Sequence, residues 1–284
     1  MKPHTFTGVT HMSVVWAAIL PHGGQAIPEL AGDLAERFRP TREGLQTAAQ
    51  AVATLPPTTI VIATPHGIRA EGGVSVSASE YTEGVLAGAG ARVVARYRVD
   101  VKTARAIAAN ARSHGLDAPL LAYGASSGPH SCLPMDWGVQ VPLYFLAPPG
   151  EDAPAVVSLC PSRLLSFDDL ARFGEAVAET LLESPEPMAF VASADLAHAH
   201  QASGPYGYHP AAREMDAAIV RHVQDDRLDD LFSLDPGFIA DAKPDALWQM
   251  AILAGLRRRV RLKSRFIAYD CPTYFGMLSA CYLP

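Results

Sequence analysis

Val14-Val15-Trp16-Ala17-Ala18-Ile19-Leu20-Pro21-His22-Gly23 is an apolar run that ends in Pro-His-Gly, and the same arrangement returns in Thr59-Ile60-Val61-Ile62-Ala63-Thr64-Pro65-His66-Gly67. Short continuous apolar runs are what strands covered on both faces look like. Proline stops ladder pairing and glycine lets the chain turn sharply, so each run reads as a buried strand leading into a braced corner. Each corner puts an imidazole at the carboxyl end of a strand, the edge where open α/β sheets gather their ligand sites.

Outward from these two stretches, short apolar runs alternate with helical segments, the pattern of an α/β domain. Strands are expected at Val14–Leu20, Thr59–Ala63, Arg92–Val99, Val141–Leu146, Ala155–Leu159, Met188–Ala192, Phe266–Tyr269 and Tyr274–Tyr282. Helices are expected at Ile27–Arg37, Arg42–Ala53, Val101–Ser113, Phe167–Leu182, Pro210–Val223 and Pro244–Leu256. Ser166 with Asp169 three residues later makes an approximate capping box for the fourth helix, whose Leu170, Phe173, Val177 and Leu181 share a face. The expectation is one domain over residues 12–284, with a central mostly parallel or mixed sheet flanked by helices. Residues 1–11 read as an upstream extension, so His4 and His11 carry little weight.

A chain of 284 residues can bury a large core without staples. Its 49% hydrophobic and 18% charged residues are ordinary for a globular protein. The net charge of −6 argues against nucleic acid as a partner. The one dense basic run, Arg257-Arg258-Arg259 with Arg261 and Lys263, reads as a solvated helix end favoured by the macrodipole. Cys132, Cys160, Cys271 and Cys281 form no C-x-x-C pair and no disulfide framework, which fits a reduced cytoplasmic protein. The start of the sequence has no signal-peptide pattern, and no apolar run approaches the ~18 residues that span a bilayer, so no membrane association is expected.

Two neutral imidazoles on adjacent strand ends can converge on one divalent metal. Either histidine alone could simply bond a backbone carbonyl at a loop start; the repetition of the whole pattern favours a shared ion. A third strand end, Met188–Ala192, runs into Ser193-Ala194-Asp195-Leu196-Ala197-His198, with His200 beyond. His198 is a candidate third ligand or general base, and Asp195 a candidate to orient an imidazole or bind the metal itself. The plainer possibility has Asp195 bonding loop N–H groups and both histidines exposed. A carboxylate should complete the set. Asp245, at the start of the Pro244–Leu256 helix, and Asp241, four residues earlier, are the candidates, and spacing does not choose between them.

The order of these elements resembles a known family. Pro21-His22-Gly23-Gly24, then Thr64-Pro65-His66-Gly67, then Asp136-Trp137-Gly138-Val139-Gln140-Val141-Pro142-Leu143, then Ser193-Ala194-Asp195-Leu196-Ala197-His198 and Pro272-Thr273-Tyr274-Phe275-Gly276-Met277 resemble the class III extradiol ring-cleavage dioxygenases. That superfamily includes the protocatechuate 4,5-dioxygenase catalytic subunit and the Memo-like proteins. The resemblance implies a metal held by His22, His66 and an acidic residue in the segment of Asp245, with His198 as a separate catalytic histidine assisted by Asp195. Family members have glutamate or cysteine at the acidic position, and many have histidine where Trp137 stands. His130, seven residues earlier, is then a candidate to take over part of that role.

The expected function is ring opening of a catecholic substrate with O2 by a non-heme Fe(II) enzyme, with zinc able to occupy the site on purification. Substrate contacts are expected from His130, Trp137 and Tyr208, with Tyr206 in the same loop as Tyr208. A homo-oligomer is expected. Two alternatives stand beside this reading: a Memo-like metal-binding regulatory protein without ring cleavage, and a zinc-dependent hydrolase.

Overall fold

Strand β1 (Val14–Leu20) is buried along almost its whole length, and the reason is visible in its neighbours. The computed structural model describes residues 13–284, so the expected 1–11 extension lies outside the described residues. β1 is followed by a short helix α1 (Pro28–Ala31) and by α2 (Arg39–Val52). Next come β2 (Thr59–Ala63), β3 (Val74–Ser77), β4 (Tyr81–Gly88), β5 (Ala91–Arg98) and α3 (Val101–Ser113). Two short strands, β6 (Leu120–Leu121) and β7 (Cys132–Pro134), lead to α4 (Trp137–Leu146). The chain continues through β8 (Ala155–Pro161), α5 (Phe167–Leu182), β9 (Met188–Ser193), α6 (Ala211–Gln224), α7 (Pro236–Ala242) and α8 (Leu247–Arg259). It closes with β10 (Lys263–Asp270) and β11 (Met277–Leu283).

Eight strands form one mixed sheet in the order β10-β11-β1-β9-β2-β8-β3-β6. Its centre, β1-β9-β2-β8, is parallel, and β11 pairs antiparallel with β1. Side chains alternate across a strand, so each central strand feeds two cores. Ala17, Ile19, Val61, Val157 and Phe190 pack on one face with α3, α5 and α8. Trp16, Ala18, Ile60, Ile62 and Val191 pack on the other with α2 and α4. This double coverage is why the central runs are continuously apolar. A second sheet, β5-β4-β7, sits beside the large one; its β5 is the strand expected at Arg92–Val99, while β4 and β7 were not expected. Its strand β4 carries Gly84, Ala87 and Gly88, which weaken the usual strand signal.

Three expectations are corrected. Val141–Leu146 is helical, not a strand: Asp136 caps α4 by accepting the Val139 N–H, and the apolar run is buried helix. A short apolar run is ambiguous between the two states, and the cap settles it here. The helix expected over Ile27–Arg37 is broken into α1 and a 3-10 turn at Gly32, which has φ 52. The helix expected from Pro244 begins only at Leu247, so Asp245 stands ahead of it in the loop after α7.

The basic run at the end of α8 is taken up by neighbours. Arg257 pairs with Asp226, Arg258 with Glu175 and Asp229, and Arg259 with Glu179. Helices α5 and α8 lie so close that a Cβ on Gly174 would strike the Ile252 carbonyl, and one on Gly255 the Ala171 carbonyl. Overpacking of this kind costs ~1–3 kcal/mol or more. Gly174→Val and Gly255→Val should each lower the unfolding free energy from urea titration by at least ~1 kcal/mol; an unchanged value would show that the two backbones do not touch.

Candidate functional site

Strands β1, β9 and β2 run parallel and end level, with Leu20 beside Ser193 and Ala63 beside Ala192. Their next residues therefore share one edge of the sheet. His22 and His66 come from strands on either side of β9 rather than from adjacent strands, and β9 sends Asp195 and His198 between them. Asp245 arrives from the opposite side, in the loop between α7 and α8.

The imidazole tips converge. His22 Nε2 lies 3.0 Å from His66 Nε2, and Asp245 Oδ2 lies 3.4 Å from the first and 3.6 Å from the second. The circle through a triangle of those sides has a radius of about 1.9 Å. An ion slightly out of its plane would make bonds of ~2.0–2.2 Å to all three, the usual lengths for nitrogen and carboxylate ligands of zinc. Asp195 Oδ2 is 3.3 Å from His22 Nε2, while its Oδ1 accepts the His22 backbone N–H at 2.9 Å. The other oxygen of Asp245 is held by the Asp195 N–H at 3.0 Å.

A proline sets the tautomer of His22. Pro142 has no N–H, so within α4 the Gly138 carbonyl, four residues back, loses its helical donor. Ser193 Oγ donates to that carbonyl instead. A hydroxyl has one proton, so Ser193 Oγ must accept from His22 Nδ1, 2.9 Å away. In the neutral ring the proton is thereby fixed on Nδ1, and Nε2 faces His66 and Asp245 with its lone pair. Such a second bond to a ligating histidine is what fixes ring orientation at metal sites.

The electrostatics ask for positive charge at this point. Burial alone would lower His22, but the carboxylates of Asp195 and Asp245 outweigh it and push the imidazole up to about 9. Burial opposes ionisation of Asp245 too, yet His22 and His66 hold its carboxyl well below the usual range. Burial pushes the Asp195 carboxyl up, with the charge of Asp245 behind it and His22 opposing. Two imidazole nitrogens and one ionised carboxylate, all turned inward, suit a divalent ion such as Fe(II) or Zn²⁺.

Comparisons with known proteins give the family. Residues 16–276 match the sequence model of the catalytic LigB subunit of aromatic ring-opening dioxygenase. The chain belongs to the LigB family. It is 25% identical over 260 residues to Protein CA_C1420 of Clostridium acetobutylicum, covering 91% of this chain and 55% of that protein. The chain thus spans about half the length of the curated relative it matches. An uncharacterized protein of Escherichia coli K12, JW3007, shares the fold with a TM-score of 0.58 at 16% identity, covering 94% of this chain and 99% of the other.

Within this LigB-type fold, His198 stands beside the triad without joining it. Its Nδ1 donates to the Leu196 carbonyl at 2.8 Å, which leaves Nε2 bare, 3.9 Å from Asp245 Oδ2. Phe275 stacks on its ring at 5.2 Å and Tyr206 meets it edge-on at 5.6 Å. Trp137 stacks on His66, with centroids 4.0 Å apart. Two cavities of about 430 and 310 Å³ open from the centre and share His66, His198 and Tyr206. A larger cavity of about 610 Å³ lies at the other edge of the sheet, around Trp16, Pro56 and Pro154, away from these groups.

The remaining expected residues fall elsewhere. Asp241 is exposed on α7 and lies 3.8 Å from His209, which leaves Asp245 as the carboxylate at the centre. His130 is exposed on the loop before β7 and lines neither cavity. Tyr208 is exposed, its backbone bridged to His200, and Tyr206 is the tyrosine that lines both cavities. His200 is not an exposed bystander. It bonds Asp216 at 2.8 Å, and Asp216 also accepts the Ala197 N–H at 2.8 Å and the Tyr269 hydroxyl at 2.7 Å. Asp216 therefore pins the segment between Asp195 and His198. Sequence reasoning missed it because an aspartate within a helix gives no sign of what it faces. The roles of Ser193 and Pro142 were missed too, although a proline inside an apolar run was a signal for a freed carbonyl.

His200 provides a test. Burial would lower it, but the hydrogen bonds and charges of Asp216 and Cys271 outweigh that and raise it to about 9. A histidine raised on folding stabilises fully below its ordinary value near ~6.5, and that contribution is lost as pH rises through the folded value. The stability difference between the wild type and His200→Gln should shrink between about pH 6.5 and 9 in urea titrations. A difference that does not vary with pH would remove the ion pair with Asp216.

Proposed function

We propose that this protein is a metal-dependent ring-cleaving dioxygenase, with His22, His66 and Asp245 holding Fe(II) and a catecholic aromatic as substrate. The observation that carries the reading is the pairing of an inward-facing ligand triad with a separate histidine whose Nε2 is bare. A hydrolytic zinc centre would be served by the triad alone; the aromatic-lined space and the base beside it suit a planar diol.

When bound, iron supplies the affinity for the diol oxygens and for O2 and lowers the pKa of the diol hydroxyls. His22 is locked by Ser193 so that Nε2 is always presented. Asp245 keeps one oxygen inward because the Asp195 N–H holds the other. His198 Nε2 takes a proton from a substrate hydroxyl and returns it as the ring opens, its Nδ1 proton remaining on the Leu196 carbonyl throughout. Trp137, Tyr206, Tyr274 and Phe275 offer ring faces and edges to an aromatic substrate and exclude water. Both atoms of O2 enter the product as the carbon–carbon bond breaks, so no outside reductant is needed.

One observation favours a second reading. Trp137 lies flat against His66 beside the metal position, where it takes up room a substrate would use. A metal-binding protein without ring cleavage, as in Memo-like relatives, would tolerate that.

The test is oxygen uptake by anaerobically iron-loaded protein against a panel of catechols. Uptake with formation of a ring-opened product is expected; full iron loading without uptake from any catechol would favour the second reading. His22→Ala and His66→Ala should lose stoichiometric iron. His198→Gln should keep iron and lose ~10²–10⁴-fold in kcat, the usual share of a general acid–base. An unchanged kcat would remove His198 from the chemistry.

A further inference from the structure

Asp216 gathers more than the segment it pins. Asp270 closes β10, and a strap from Cys271 to Gly276 returns the chain to β11. The His200 N–H donates to the Tyr274 carbonyl at 3.2 Å and the Leu196 N–H to the Gly276 carbonyl at 2.7 Å. The Gly276 N–H answers by donating to the Ala197 carbonyl at 3.1 Å. These bonds tie the strap to the segment that carries His198, and Tyr274 and Phe275 of the strap line the cavity over Trp137.

Cys271 stands at the head of this strap, half-buried, with its Sγ donating to the Thr273 carbonyl at 3.5 Å. The same thiol is within hydrogen-bonding reach of the His200 imidazole. His200 is bonded in turn to Asp216, a buried carboxylate that the Tyr269 hydroxyl and the Ala197 N–H hold in place. Thiol, imidazole and buried carboxylate in that order are a nucleophile, its activating ring and the group that orients the ring. The neighbouring acid, Asp270, is engaged by the Cys271 N–H and the Thr41 hydroxyl. Burial would lower His200, but Asp216 and the thiol outweigh it and raise it to about 9, so the ring is charged at neutral pH. Positive charge beside Sγ stabilises the negative charge that sulfur carries as it attacks. The other cysteines lack this setting. Cys160 and Cys281 are buried, and burial pushes both thiols up to about 12. Cys132 is half-buried like Cys271, but burial pushes its thiol up, with Arg96 opposing and Glu83 adding to the rise.

We propose that Cys271 is a thiol-modification site, activated by the His200–Asp216 pair, that exchanges with low-molecular-weight disulfides and so loosens the strap over the candidate centre. Sγ bonds to one sulfur of the reagent, the reagent's own S–S bond breaks, and the departing thiolate takes up the proton that Cys271 gave up. The reagent is the only oxidant required. Once in a mixed disulfide, Sγ has no proton for the Thr273 carbonyl, so the strap loses the tie at its head and must make room for the added group. This chemistry goes beyond ring cleavage and does not depend on it.

The test treats the full chain with bis(2-hydroxyethyl) disulfide, small and uncharged, and follows each cysteine by intact mass and peptide mapping. Cys271 should form its mixed disulfide at least ~10-fold faster than Cys132 in the same molecules. His200→Gln should slow Cys271 by ~10-fold relative to Cys132, and that internal ratio corrects for any general loosening of the fold. On the adduct, hydrogen exchange should quicken at the Leu196, His200 and Gly276 amides, reverse with dithiothreitol, and stay unchanged in Cys271→Ser given the same treatment. Equal rates at Cys271 and Cys132 in the wild type, or a ratio that His200→Gln leaves unchanged, would overturn the assignment of an activated thiol. Exchange that the adduct leaves unaltered would overturn its effect on the strap.

Discussion

A buried cluster of imidazoles and carboxylates at close range calls for positive charge, which a proton on His22 or a metal ion supplies. His22 Nε2, His66 Nε2 and Asp245 Oδ2 are held 3.0–3.6 Å apart in a buried place, with a second carboxylate, Asp195, at 3.3 Å. Water cannot screen so much donor density there, and an unpaired buried charge is costly. The surrounding fold holds these groups in place, and two of them are tied from behind: His22 by Ser193, and Asp245 by the Asp195 N–H.

The sheet makes the arrangement possible. Three parallel strands end level, and β9 lies between the two that carry the histidines. The central strands are buried on both faces, which makes them stiff supports for the side chains at their ends. Helix α4 adds a constraint from one face, since its proline frees a carbonyl that reaches His22 through a serine. Helix α6 adds another through Asp216, which holds the segment that brings Asp195 and His198 to the edge. The site is thus assembled from six separated stretches of chain, each fixed by a backbone or buried hydrogen bond.

Much of this was legible in the residues, and the reasons are physical. Burial on both faces writes itself as unbroken apolar runs, so β1, β2, β8 and β9 could be read directly. Proline and glycine mark where a strand stops, which exposed both histidine corners. The choice between Asp245 and Asp241 was not legible, because it depends on where the loop after α7 folds back, and only four residues separate the buried Asp245 from the exposed Asp241. Val141–Leu146 was misread because a buried helix and a buried strand are equally apolar over six residues. In the small second sheet only β5 was legible, from its polar–apolar alternation; β4 was missed because it is half-exposed and rich in small residues. Tyr208 was read as a pocket residue from loop position, and His130 from its nearness in sequence to Trp137; neither says anything of direction.

The claim on which the account turns is that one ion sits among His22, His66 and Asp245. The most direct measurement is a crystal grown anaerobically with Fe(II), with diffraction recorded on both sides of the iron absorption edge. The account predicts one dominant anomalous peak bonded to His22 Nε2, His66 Nε2 and Asp245 Oδ2, at ~2.0–2.2 Å if iron keeps the ligand distances usual for zinc. Iron bound at other groups, or imidazoles of residues 22 and 66 turned to different spaces, would contradict it.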